Sequence, residues 1–406
     1  MDDEVNSLKK VWKMLGVLLL VAAACAVTYA VTVTELEAQY ALKMEDTAPI
    51  ASKLDEIESY LSDYFIDDYD SEALAAAAAD GAASAMIAAT GDQWSYYISA
   101  DDMEAHNELV NNAYVGVGIV IQVTEDGMKV TSVTAGSPAE AAGVKPEDLL
   151  VAVDGQATED LTLDETKNLV RGEAGTEVAL TFVRNGETLE VTLTRSNIIS
   201  PVATSEMLED GIGLITIENF DAHCAEQTLA CLDSLVEQGA KAILFDVRFN
   251  PGGYKDEMVK VLDALLPAGD IFRSIDYAGR EEVDRSDDNC LDLPMAVLVN
   301  EDSYSAAEFF AAALQEYGVA EVVGMPTSGK GNFQYTFTLS DGSAIAISVG
   351  KYFTPQGKSL TDVGITPNVE VNLSYADYEA LYYGTLDSEE DEQIKSALEI
   401  LREKIA

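Results

Sequence analysis

The sequence predicts an α/β core with an inserted β-rich unit, a helical N-terminal region and a single transmembrane helix. Three patterns carry this. Residues 199–373 alternate apolar strand-like runs with amphipathic helical runs, the order of an α/β layer. Residues 109–198 change to short strands separated by Asp154-Gly155 and Asn185-Gly186, dipeptides that accept the positive φ of tight hairpin turns. Met14 to Val33 is a run of 20 residues without a charge. At ~1.5 Å per residue it spans a bilayer core of roughly 30 Å.

Lys9, Lys10 and Lys13 precede that run, and Glu35 and Glu37 follow it. The lysines place residues 1–13 in the cytosol, residues 14–33 in the cell membrane and the remaining chain outside. A cleaved signal peptide is the competing reading, since Ala22, Ala23, Ala24 and Ala26 supply small residues. The apolar run continues past them, which favours an uncleaved anchor. Residues 34–108 read as mostly helical. Ile50, Leu54, Ile57 and Leu61 recur at helical spacing, and Leu74 to Ala89 is alanine-rich.

In the β-rich unit, Gly118 to Val123, Met128 to Val133 and Leu149 to Val153 are the clearest strands, and Ser137 to Gly143 reads as a short helix ending at glycine. The core follows with strands at Gly213 to Ile217, Ala242 to Val247 and Met295 to Asn300. Helices are expected at Ala225 to Gln238, Asp256 to Leu266 and Ser305 to Tyr317. Phe333 to Leu339 and Ala344 to Val349 form a hairpin about Asp341-Gly342. Residues 374–406 read as an acidic tail with one amphipathic helix, whose apolar side is Ile394, Leu398, Ile400 and Leu401.

Composition narrows the function. The chain has 406 residues, 72 acidic and 24 basic, for a net charge of −48. Such a surface repels a phosphate backbone, so nucleic acid is not an expected partner. Two histidines and four cysteines make a zinc site unexpected, and no metal or other cofactor is implied. Cys224 and Cys231 lie on one predicted helix, roughly 10 Å apart, too far for a bridge.

Three local features carry chemistry. Ser305 sits between an apolar strand and an alanine-rich helix, where N–H groups and the helix dipole favour an oxyanion. Ser305 with Glu308 also matches a capping box, a purely structural role. Lys330 lies in Gly329-Lys330-Gly331, which reads equally as a solvated turn. Gly324 to Lys330 matches most of a phosphate-binding loop, but Gly331 stands where Ser or Thr is needed and a strand follows in place of a helix. Asn250-Pro251-Gly252-Gly253 follows a buried strand and is either a plain turn or a source of free backbone N–H groups.

Together these stretches resemble the C-terminal processing peptidases, or tail-specific proteases, which are Ser–Lys endopeptidases carrying a PDZ domain. The resemblance rests on Asp246 to Gly253, on Val297 to Glu308, on Val322 to Gln334, on Tyr352 to Gly357 and Gly364 to Pro367, and on Gly91-Asp92 with Tyr96-Tyr97. It spans roughly residues 45–400. Within it, residues 109–198 resemble a PDZ domain through Tyr114 to Ile119, Gly136 to Ala139 and Asp148 to Gly155. It implies a crotonase/ClpP-like layered core, with Ser305 as nucleophile and Lys330, 25 residues on (330 − 305), as general base. Gln334 orients the lysine, and the N–H groups of Ala306 and of Gly252 or Gly253 form the oxyanion hole. The resemblance further implies that Val117, Gly118 and Ile119 bind a peptide C-terminus and that Arg171 couples that binding to catalysis, while Arg171 reads equally as a surface arginine. Ala307 and Gln93 depart from the family pattern at non-catalytic positions.

A lysine is a base only when neutral, so Lys330 is expected to be buried, without a carboxylate partner, among Phe309, Phe333 and Tyr335. The expected substrates are proteins or peptides with exposed, apolar C-termini. The N-terminal helices and the C-terminal helix offer faces for a homodimer. A catalytically inactive PDZ scaffold and a structural envelope protein are the competing functions. The joint presence of Ser305, Lys330 and Gln334 disfavours both.

Overall fold

The computed structural model describes residues 27–29, 31–32 and 48–406. Most of the expected span at 14–33 lies outside the described residues, among which no helix is long and apolar enough to cross a membrane. The chain divides into two compact units between Ala83 and Ser84. The first contains a helix over residues 48–64, and the helix Ser71–Ala88 begins in it.

The helical reading of 34–108 is interrupted before its last helix, Met103–Val110. Tyr96–Ile98 is a strand, paired antiparallel with Ala344–Phe353 through Tyr96↔Ala346 and Ile98↔Ala344. A three-residue strand leaves too little periodicity to read, and only its distant partner reveals it. The segment ahead of the β-rich unit is therefore built into the sheet of the core.

Residues 113–199 form the β-rich unit. Ala113–Gly116 pairs antiparallel with Ser196–Ile199, bringing its entry and exit together. Between them one antiparallel sheet runs Ile119–Thr124, Gly127–Val133, Leu149–Val153, Glu177–Arg184, Glu187–Thr194. Asp154 and Gly155 take φ of 48° and 79°, and Asn185 and Gly186 take 52° and 82°, as the turn dipeptides require. Leu150 and Val153, either side of a bulge, and the alternate residues Leu180 and Phe182 are buried with Val130 and the helix residue Val170.

The core centres on a second sheet in the order Ala203–Met207, Ile212–Ile217, Ala242–Asp246, Met295–Val299, Ala320–Gly324, Val369–Glu370. All pairings except the first are parallel. Parallel strands are covered on both faces, so they read as continuous apolar runs. Ile215, Ile217, Ile243, Phe245, Val297 and Val299 face the helices Cys224–Glu237, Lys255–Asp263 and Ala306–Tyr317. Their alternates Ile212, Leu214, Leu244 and Leu298 face Ile394, Ala397 and Leu401 of the helix Glu392–Ile405. The acidic tail is thus an integral layer of the core. Its apolar side is spent within the chain, so it offers no dimer face. A further sheet holds Gly269–Asp276, Glu281–Ser286 and the hairpin Asn332–Thr338/Ala344–Phe353. Cys224, Cys231 and Cys290 are free thiols, and burial pushes Cys224 up to about 12.

Arg248, two residues past the strand Ala242–Asp246, fixes the outer layer. Its buried guanidinium binds Asp246, Asp391 Oδ2 at 2.6 Å and Gln393 Oε1 at 2.9 Å. Replacing it with Met leaves two buried carboxylates unpaired, a change that typically costs about 3–5 kcal/mol. Urea unfolding of Arg248→Met is expected to show a loss of that order.

Candidate active site

Ser305 is the N-cap of Ala306–Tyr317 and takes φ 53°, ψ −117°, a backbone conformation strained for a residue with a Cβ. The preceding loop is over-determined by buried hydrogen bonds. Asn300 Oδ1 accepts from the N–H of Phe249 at 2.9 Å and of Asp302 at 3.2 Å. Ser303 Oγ donates to Val247 O at 2.8 Å, and Tyr304 N–H donates to Asn250 O at 2.9 Å. Packing and hydrogen bonds together hold the strained serine at the helix start.

Gly252 lies against this turn. A Cβ there would come within 2.8 Å of Ser305 Cβ and 3.0 Å of Ala306 N, and φ is 93°. A Cβ on Gly253, at φ 144°, would strike the backbone of Phe220 at 2.3 Å. Only glycine fits at either position. The Gly252 N–H already donates to Asn250 Oδ1 at 2.8 Å. Of the three expected oxyanion donors, this leaves the N–H groups of Gly253 and Ala306, neither of which has a protein acceptor among the described residues.

Glu308 joins the two halves of the site. Its side chain is fully buried. Oε2 accepts from the backbone N–H of Ser305 and of Lys330, both at 2.8 Å. Oε1 accepts from Gly329 N–H at 2.8 Å and Thr327 Oγ1 at 2.6 Å. Burial pushes this carboxyl above its ordinary range, and the four donors oppose that. The capping-box spacing marks Glu308 in the sequence, but the bonds to residues 327–330 have no local signal. The flanking glycines seat the lysine loop: a Cβ on Gly329 would lie 2.7 Å from Val363 N, and one on Gly331 would lie 2.4 Å from Thr361 Oγ1.

Ser305 and Lys330 line one cleft of about 1340 Å³, together with Gly252, Gly253, Phe333, Gln334, Tyr335, Asp221 and Tyr254. Burial lowers the Lys330 pKa, as expected for a base. The expected freedom from carboxylates is corrected. Glu308, Asp92 and Asp221 all pull the pKa back up, although none is within salt-bridge distance among the described residues. Phe333 and Tyr335 line the cleft, but Phe309 turns into the core against Phe272, with ring centroids 5.2 Å apart. The aromatic group at the lysine is Trp94, whose ring centroid lies 4.9 Å from Nζ. No hydrogen bond joins Nζ to Ser305 or to Gln334 among the described residues. Gln334 Nε2 donates to Ser348 Oγ at 3.0 Å and Asn332 O at 3.3 Å.

Asp221 is an acid of the cleft that the sequence did not single out. Burial pushes it up to about 7, and Lys330 opposes the rise. Above neutral pH it is ionised and favours the ammonium form of Lys330. Asp221→Asn is expected to move the acid limb of the kcat/KM profile to lower pH, by on the order of half a unit.

In the β-rich unit, Val117, Gly118 and Ile119 lead into the strand Ile119–Thr124. Gly118 takes φ 82°, and a Cβ there would meet Ser137 Cβ at 2.2 Å. The carbonyls of Val117 and Gly118 accept from Ala139 and Thr134 N–H. Arg171 caps the helix Leu163–Val170 and donates to Glu108 Oε2 at 2.7 Å. Its guanidinium sits 5.3 Å from the centroid of Tyr114.

Peptidase family S41 matches residues 211–371, and a PDZ domain matches residues 129–184. A CtpA-like serine protease of Staphylococcus aureus is 32% identical over 384 residues, covering 91% of this chain and 75% of that protein. The carboxy-terminal processing protease CtpA of Bacillus subtilis is 32% identical over 307 residues, covering 75% of this chain and 66% of that one. Among solved structures, the photosystem II D1 C-terminal processing protease aligns with a TM-score of 0.45 at 26% identity, over 78% of this chain and 85% of that one. The chain therefore belongs to peptidase family S41, as a C-terminal processing serine protease with a PDZ domain.

Proposed function

We propose that this protease is a membrane-anchored extracytoplasmic endopeptidase that binds protein C-termini in its PDZ groove and cuts peptide bonds with a Ser305–Lys330 dyad. The observation that carries the dyad is Glu308, whose single carboxylate takes the backbone N–H of both residues and fixes them on one cleft. Neutral Lys330 accepts the Ser305 Oγ proton as the hydroxyl attacks the scissile carbonyl. The N–H groups of Gly253 and Ala306 hold the oxyanion. The ammonium of Lys330 then gives its proton to the leaving amine, and water hydrolyses the acyl-enzyme by the same relay. Nζ has no hydrogen bond to Ser305 here, and on this reading the two close to hydrogen-bond distance before the first step. Gln334, four residues on in the strand Asn332–Thr338, supports the lysine in that position.

The PDZ groove accepts a peptide as an added strand beside Ile119–Thr124, with the terminal carboxylate on backbone amides at Val117, Gly118 and Ile119. Arg171 sits between this unit and Glu108 of the helix Met103–Val110, which supports its coupling role. The uncharged run at 14–33 supports the anchor, the layered sheets and helices support a crotonase/ClpP-like core, and a homodimer through the N-terminal helices completes the reading. Digestion of β-casein or a tailed peptide by wild type and by Ser305→Ala tests the dyad. Equal hydrolysis by both sinks it.

A further inference from the structure

The segment Asp92–Ile98, which connects the N-terminal helices to the PDZ unit, is anchored in the catalytic sheet. Ser348 N–H donates to Ser95 Oγ at 3.0 Å, Tyr96–Ile98 pairs with Ala344–Ala346, and Trp94 N–H donates to Asp92 Oδ1 at 3.2 Å. This anchoring holds the half-buried indole of Trp94 beside two groups of the active site. One is Tyr304, the residue before Ser305, with ring centroids 6.0 Å apart. The other is Lys330 Nζ, 4.9 Å from the centroid. An aromatic face attracts an ammonium and not a neutral amine. Among the described residues, Nζ has no hydrogen bond or salt bridge that competes with the ring.

We propose that Trp94 is a positioning residue for Lys330: its indole face receives the ammonium form and holds the base off Ser305 until the proton is lost or substrate enters. This rests on Lys330 being the general base. The ring works against burial, which favours the neutral amine, and alongside the three carboxylates facing Nζ. These are Glu308 from the helix after Ser305, Asp221 from the loop before the helix Cys224–Glu237, and Asp92 from the segment that carries Trp94. Removing the ring should therefore make Lys330 easier to deprotonate.

The chain has two tryptophans, Trp12 and Trp94. In full-length Trp12→Phe protein, Trp94 fluorescence is recorded from neutral to alkaline pH without substrate. The expected result is a titration component that is lost when Lys330→Met is added, over any that both proteins share through Asp221 or the tyrosines. In parallel, kcat/KM profiles are recorded for Trp94→Leu and the more conservative Trp94→Phe. The acid limb should move to lower pH by about one unit for Leu and less for Phe, with the plateau kcat largely kept. A ring that merely fills space would lower kcat or stability without moving the limb. Fluorescence titrations that are identical with and without Lys330→Met, or a Trp94→Leu limb that coincides with wild type, overturn the proposal. Since the fluorescence needs no turnover, failure of the dyad reads out separately, as hydrolysis that persists in Lys330→Met.

Discussion

Ser305→Ala is expected to reduce peptide hydrolysis by roughly 10⁴-fold or more while leaving the fold in place, and Lys330→Ala to do the same. The chemistry explains the size. Without the hydroxyl no acyl-enzyme forms, and without the amine no other base among the described residues is hydrogen-bonded to the hydroxyl to accept its proton. His106 and His223 line the same cleft, but neither is hydrogen-bonded to Ser305 among the described residues. Folding is spared because alanine keeps the Cβ already accommodated at φ 53°, and the bond from residue 305 to Glu308 uses the backbone N–H. Circular dichroism and thermal melting check the fold, and single-turnover digestion checks the chemistry. Near-wild-type cleavage in either variant would sink the assignment.

Glu308→Gln is expected to cost both activity and stability, despite its near-identical shape. The carboxylate accepts four hydrogen bonds, two on each oxygen. An amide presents NH₂ on one side, so two donors would face a donor. Turned one way, the clash falls on the N–H groups of Ser305 and Lys330; turned the other, on Gly329 and Thr327. Thr327 Oγ1 already accepts from Ile365 N–H at 2.8 Å, so its hydroxyl has limited freedom to reverse. Each buried donor left unmatched costs about 1–3 kcal/mol. The two loops should separate, lowering kcat/KM by about 10²- to 10³-fold and the melting temperature by several degrees. Normal activity with an unchanged melting temperature would show that the four bonds do not hold the site together.

Much of this was legible along the chain. The apolar runs at Ala242–Asp246 and Met295–Val299 are buried at every position, so they read as strands without any knowledge of their partners. Asn185-Gly186 and Asp154-Gly155 announced their turns because few other pairs tolerate positive φ at both residues. The glycines around Lys330 and at 252–253 marked places of close backbone approach, and the approach is there.

The misreadings share one cause. Tyr96–Ile98 fell inside a stretch read as mostly helical, and residues 374–406 read as an acidic tail with one amphipathic helix and not as a layer of the core, because the partners of both are far away in sequence. Ser348 is 253 residues from Ser95, and Asp391 is 143 residues from Arg248. Phe309 was expected beside the lysine, but the helix turns it into the core, and Trp94 takes that place.

The sequence by itself determined the family, the division into a PDZ unit and an α/β core, and the residue types of the site. These depend on local periodicity, turn chemistry and motif spacing. Only the tertiary structure decided the electrostatics of the base. Three carboxylates and one indole converge on Lys330 from separate stretches of the chain, and each acts through distance in space. A lysine between two glycines reads as a solvated charge or as a base, and the folded surroundings, which bury Lys330 and lower its pKa, support the second reading.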